Sequence, residues 1–231
     1  MPAIRPAAVA GVFYSAAATE LRSEVVKLLG SDATAAIAQV PKTLIAPDAG
    51  YIYSGPVAAA AYRRLAPARE HIRRVVLLGP SHYVGFHGLV ADSAEAWQTP
   101  LGTVPIDRPL AERLIEAKLI GVLDAVWGGP ETLIVVSTDF SHYLDYRSCQ
   151  ETDRRTAEAI ERLDPSALEP ESACGRVPVR GLLAAAKRRS MSIARLDLRN
   201  SGDTAGSRDR VVDYSSWALF EPSAQQPTEG G

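Results

Sequence analysis

Three runs of uninterrupted apolar residues stand out along the chain: "TLIAP" at 43–47, "VVLLG" at 75–79 and "LIVVS" at 133–137. Runs of this length without polar interruption predict neighbouring central strands covered on both faces. With their flanks they read as strands over 42–47, 73–82 and 131–142. Elsewhere the apolar positions fall at helical spacing. "TELRSEVVKLLG" (19–30) places Leu21, Val25, Leu28 and Leu29 on one face and stops at a glycine. "PVAAAAYRRLAP" (56–67) opens and closes on proline, and 108–119, 149–164 and 181–190 also read as helices. Shorter strands are predicted at 87–93, 101–106, 192–200 and 215–221. Strands that alternate with helices imply an α/β sandwich around a mostly parallel or mixed central sheet, in one domain over residues 1–221. The polar end, 222–231, is expected to be a disordered tail.

Composition narrows this picture. Of 231 residues, 46% are apolar, enough for a full core, and the net charge is −2 with no long basic run. No electrostatic footprint for nucleic acid is present. No run of 18 apolar residues predicts a membrane helix. The N-terminal "AAVAGVFYSAAA" lacks the Leu-rich centre of a signal peptide, and Pro6 directly follows its one flanking charge, Arg5. Two cysteines, Cys149 and Cys174, make no disulfide framework and fit a reducing compartment, so a cytoplasmic location is expected.

The three apolar runs end alike. The first ends at Asp48, the second at His82, the third at Asp139 and His142. Open α/β sheets bind ligands beyond the carboxyl ends of their strands, so these groups stand where such a fold puts its site. Taken singly each has a plain explanation: Asp48 and Asp139 as turn or cap residues, His82 exposed after a turn, His142 half-buried and satisfied. Repetition at three strand ends favours a shared cleft. Cys174 precedes a helix, where backbone N–H groups, the dipole and nearby Arg176 favour a thiolate; an inert core cysteine is the equal alternative. Tyr51 and Tyr53 are placed to wall the cleft. His71 reads as a surface residue, His87 as a surface turn residue or, alternatively, part of the cleft lining, and Cys149 has no assigned role. There is no GxSxG, no GxGxxG and no P-loop ending, which disfavours a nucleophile-elbow hydrolase and a Rossmann dehydrogenase.

Beyond these residues, "VAGVFY", "APDAGYIYSG", "GPSHY", "TPLGTVPID", "WGGPETLIVVSTDFSHYLDY", "ACGRVPVRGLL" and "DLRNSGDTAGSRDRVVDYSSWAL" resemble the Memo-like family, whose bacterial members are called AmmeMemoRadiSam system protein B. The resemblance implies a fold like the class III extradiol (LigB-type) dioxygenases. It also implies a metal site at Asp48, His82 and Cys174, with His142 beside Asp139 near the pocket as catalytic candidates. Two departures stand out. The family's "PHAGY" is "PDAGY" here, which replaces an imidazole by the harder Asp48 carboxylate. A family segment after "PID" is missing, so the sheet is expected to lack one element near 119–124. The resemblance implies a divalent transition metal such as Fe(II), Cu or Zn, and partners of the radical-SAM or AMMECR type. Three functions follow: a redox-linked or accessory metal-binding protein, a non-haem Fe(II) dioxygenase on an aromatic diol, or a metal-free module binding a peptide or small molecule in the cleft.

Overall fold

All four residues of β2 (Thr43–Ala46) are buried, and so are the first five of β6 (Thr132–Ser137). They lie side by side and parallel, with Leu44 opposite Val135 and Ala46 opposite Ser137. On the far edge of β6 lies β3 (Arg74–Leu78), also parallel. On the other side of β2, the antiparallel β9 (Val211–Phe220) carries β8 (Ser192–Asn200) and the short β7 (His142–Leu144). The six-stranded sheet is therefore mixed, in the order β3-β6-β2-β9-β7 with β8 also on β9. A computed structural model describes residues 3–30, 39–116 and 121–222. The predicted tail falls almost wholly outside the described residues, as do 119 and 120 of the segment expected to be shortened.

Side chains alternate across the sheet into two cores. Ile45, Ile134, Val136, Trp217 and Leu219 face one layer, made by α4 (Val122–Val126), α5 (Tyr146–Glu161) and α6 (Arg176–Arg188). Leu44, Leu133, Val135 and Ala218 face the other, where Ala61 of α2 (Tyr51–Tyr62) packs and α1 (Ala18–Leu29) lies against α2. A separate three-stranded sheet joins β1 (Ile4–Arg5), β4 (Ala96–Thr99) and β5 (Gly102–Pro105). The α/β sandwich with a mixed sheet is as the sequence pattern predicts.

One expectation fails at β3. The three apolar runs are neighbours, yet β3 is an edge strand and only one of its faces is covered. Val76 is buried in the first core, whereas Val75 and Leu77 are 55% and 49% exposed. Among the described residues the α2 layer packs chiefly over β2, β8 and β9 rather than over β3. An apolar run reports two-sided burial only if both layers reach it, and here one does not. The strand expected at 87–93 also fails to form. Gly88 turns the chain at φ 92°, and Asp92 is engaged by Ala94 N, Trp97 Nε1 and Arg5 Nη1, so pairing begins instead at β4. Finally, α2 starts at Tyr51 rather than Pro56, and continues through that proline. Only one intrahelical donor is lost so near the N-terminus, so the break stays small.

Candidate metal centre

The C-terminal ends of β2 and β6 lie level because the strands are parallel and in register, Ala46 beside Ser137. Thr138 N donates to Ala46 O at 2.9 Å and extends the pairing one residue further. The chain after β2 then reads Pro47, Asp48, Ala49 and Gly50, and α2 begins. This short turn holds the Asp48 carboxylate over the ends of both strands. Ser137 Oγ donates to Asp48 Oδ2, and Asp48 N donates to Asp139 Oδ1 at 3.0 Å.

Cys174 reaches the same place from the far side of the chain. It precedes α6, and its loop is pinned to the 138–139 segment. Cys174 N donates to Asp139 O at 3.1 Å, and Gly175 N to Thr138 Oγ1 at 2.8 Å. The approach is so close that a Cβ on Gly175 would lie 2.6 Å from Thr138 Cβ. The sulfur receives Asp139 N at 3.3 Å and contacts Thr138 Oγ1 at 3.5 Å. His82 arrives from the loop beyond β3. One ligand atom each from Asp48, His82 and Cys174 lies within 4.8 Å of the other two. Asp48 and Cys174 are half-buried and His82 is exposed, so the group is open to solvent on the imidazole side.

The electrostatics of the site are set by burial. Burial first, and the Asp48 carboxylate second, push Asp139 up to about 7. Asp139 is only 6% exposed, and with its proton in place it can face Asp48 without like-charge repulsion. Burial also raises the Cys174 thiol, against the opposing pull of Thr138 and the Asp139 N–H. Of the two readings the sequence left open, a thiolate at the helix start or an inert core thiol, burial favours the protonated thiol. His142 is exposed on β7 and stands outside the group of three.

A groove of about 230 Å³ borders Asp48. Phe13, Tyr14, Leu28, Tyr51 and Tyr62 line it, together with the Pro47–Ala49 turn. Tyr51 thus forms part of the wall, while Tyr53 is 37% exposed and does not. The groove could be foreseen only in part, because Phe13 and Tyr14 come from the N-terminal loop that Tyr51 N binds through Phe13 O at 2.8 Å. A cavity of about 130 Å³ at the opposite, N-terminal end of β2 and β6 is lined in part by Lys42. Its ammonium donates to Gly129 O and Thr132 O, both at 2.7 Å, which is structural capping. A second group of possible ligands, Cys149, Asp153 and Asp213, is fully buried. Cys149 and Asp153 share one face of α5 at i, i+4 spacing, but Asp213 is remote in sequence and gives no local signal.

A mixed α/β sandwich with carboxylate, imidazole and thiol gathered beyond its parallel strand ends defines a protein with a candidate metal centre, in the position such sheets use for ligands. Sequence comparison shows its family. The pattern described as "Memo-like protein" matches residues 5–127 and 117–218, and the chain belongs to the Memo-like family. It is 30% identical to a MEMO1 family protein of Aquifex aeolicus, covering 91% of this chain and 97% of that one. It is 31% identical to a MEMO1 family protein of Thermotoga petrophila, covering 94% and 99%. The Aquifex alignment runs over 265 positions, more than the 231 residues of this chain, so that relative carries residues with no counterpart here. The two matched stretches overlap at 117–127, in the region where a family segment is expected to be missing. No helix among the described residues is long and apolar enough to cross a membrane.

Proposed function

We propose that this chain is a metal-binding protein of redox-linked or accessory role, in which Asp48, His82 and Cys174 hold one divalent transition metal. The observation that carries the reading is the convergence of their ligand atoms within 4.8 Å of one another, from three separate loops. The donors suit such an ion: carboxylate oxygen, imidazole nitrogen and sulfur are the ligand types of zinc, iron and copper sites. Ser137 holds Asp48 in orientation, and the Asp139 N–H is aimed at the sulfur it would stabilise as thiolate. A bound metal would supply Lewis acidity or, as iron or copper, one-electron chemistry. Asp139, with its pKa raised to about 7, is placed to hold or release a proton beside Asp48. The adjoining groove is apolar with three phenols on its wall, and suits a small, largely apolar ligand or a peptide side chain.

The dioxygenase reading is less well supported. Extradiol-type iron is held by two imidazoles and a carboxylate, whereas this group offers one imidazole and a sulfur, and His142 stands apart. An accessory role beside a radical-SAM or AMMECR-type partner belongs to the favoured reading and rests on the resemblance of sequence. Untagged protein, stripped and reloaded with Zn, Fe(II) or Cu, should lose one equivalent of metal when His82 or Cys174 is replaced by alanine. Unchanged metal content in both variants overturns the reading.

A further inference from the structure

Polar residues that the proposed centre does not use collect around Ser141, two residues beyond Asp139. Ser141 stands at their middle. Its backbone pairs with β9 through Asp213 N, which donates to Ser141 O at 3.1 Å. Its N–H donates to Asp153 Oδ1 at 3.0 Å, and its hydroxyl to Asp153 Oδ2 at 2.6 Å. Cys149, one turn earlier on α5, donates its thiol to Asp153 Oδ2 at 3.0 Å. Asp213 completes the group from β9. One ligand atom from each of Cys149, Asp153 and Asp213 lies within 4.8 Å of the other two, and the residues are 0%, 1% and 3% exposed.

Two features set this group apart from an ordinary polar core. Asp213 Oδ1 is buried and finds no hydrogen-bond partner among the described residues, although its carboxyl faces Cys149 and Asp153. No ion pair among the described residues involves Asp153 or Asp213. A buried carboxylate without a partner is costly, and a second one alongside makes it more so, so the charge must be met by a proton or by a cation.

We propose that Cys149, Asp153 and Asp213 form a second, buried cation site that takes one divalent transition ion of the zinc class. The combination of sulfur with two carboxylate oxygens selects such an ion over magnesium or calcium, which take oxygen ligands alone. The Ser141 N–H and hydroxyl act as the outer donors that orient a ligating carboxylate, and Asp213 Oδ1 is the lone pair left open for the ion. Binding displaces the Cys149 thiol proton to solvent, and the sulfur then bonds the ion as thiolate. Because the residues are enclosed, the ion is taken up as the chain folds and acts as a staple between α5 and β9. The site stands independently of the centre at Asp48.

The test uses the full chain carrying His82→Ala and Cys174→Ala, which removes the first centre. Refolded with Co(II), this protein should bind one equivalent and show a thiolate-to-cobalt charge-transfer band in the near ultraviolet. Adding Cys149→Ser should abolish the band. Adding Asp213→Asn, nearly isosteric, should weaken binding by more than the roughly 10–100-fold that loss of an outer-shell partner costs. Native near-ultraviolet dichroism verifies folding of each variant, and Asp213→Asn decides alone if Cys149→Ser does not fold. No bound cobalt in the parent double variant, or a band that survives Cys149→Ser, overturns the proposal. So does cobalt affinity unchanged in Asp213→Asn, the result expected if a proton rather than a cation satisfies the pair.

Discussion

Replacing Asp139 by asparagine should flatten the pH dependence of stability. The wild-type carboxyl is 6% exposed, and burial with the neighbouring Asp48 raises its pKa from 3.8 to about 7. A carboxyl that holds its proton more tightly in the folded chain stabilises the fold fully below the unfolded pKa. That contribution disappears as pH rises through the folded pKa. A difference of roughly three units, at about 1.36 kcal/mol per unit, gives an upper limit of about 4 kcal/mol lost between pH 4 and pH 8. Asparagine keeps an oxygen for the Asp48 N–H and turns an amide N–H toward Asp48, so it imitates the protonated acid at every pH. Urea unfolding followed by circular dichroism, in the presence of a chelator, should give similar stability for both proteins near pH 4. The variant should be the more stable near pH 8, by up to about 4 kcal/mol. Asp153 is also raised by burial, but it is common to both proteins and cancels in the difference. Asp213 is raised chiefly by burial and last by Asp139, so the variant relieves it slightly and in the same direction. Parallel stability curves across that range would refute the assignment of a shared proton to the Asp48–Asp139 pair.

Gly175→Ala should destabilise by about 1–3 kcal/mol and weaken metal binding, because the new Cβ falls 2.6 Å from Thr138 Cβ and 2.9 Å from Ser137 O; thermal melting with metal titration checks both. Lys42→Met removes the ammonium from Thr132 O and from Gly129 O, which keeps only its bond from Thr132 N, and should cost about 1–3 kcal/mol in urea unfolding, with metal binding untouched. On β3, Leu77→Lys on the open face should change stability by no more than about 0.5 kcal/mol, whereas Ile134→Ala on neighbouring β6 should cost about 2–5 kcal/mol; equal losses would mean that the open face is covered in solution.

The sheet was legible because β2 and β6 are enclosed on both sides, and an unbroken apolar run states that directly. The same pattern misled at β3, where "RVVLL" is as apolar as its neighbours but lies at the sheet edge with Val75 and Leu77 uncovered. Coverage is a property of the opposing layer, and no local stretch of sequence reports it. The convergence of Asp48, His82 and Cys174 followed from strand ends and from the family resemblance together; spacing alone could not have brought Cys174 to the ends of β2 and β6. Its placement depends on the Gly175 N to Thr138 Oγ1 bond between segments 37 residues apart. The Cys149–Asp153–Asp213 group was not foreseen, because the β9–Ser141 pairing that completes it is long-range and "VVDYSS" reads only as a strand.

The central claim is that the Asp48 carboxylate, standing where the resemblance implies a histidine, still completes a metal centre. The most direct measurement is an anomalous difference map from crystals of the full chain saturated with zinc, collected at the zinc edge, because it locates each ion separately. A peak within about 2.0–2.3 Å of Asp48, His82 and Cys174 is the predicted result. A map from zinc-saturated crystals with no peak among these three side chains contradicts it.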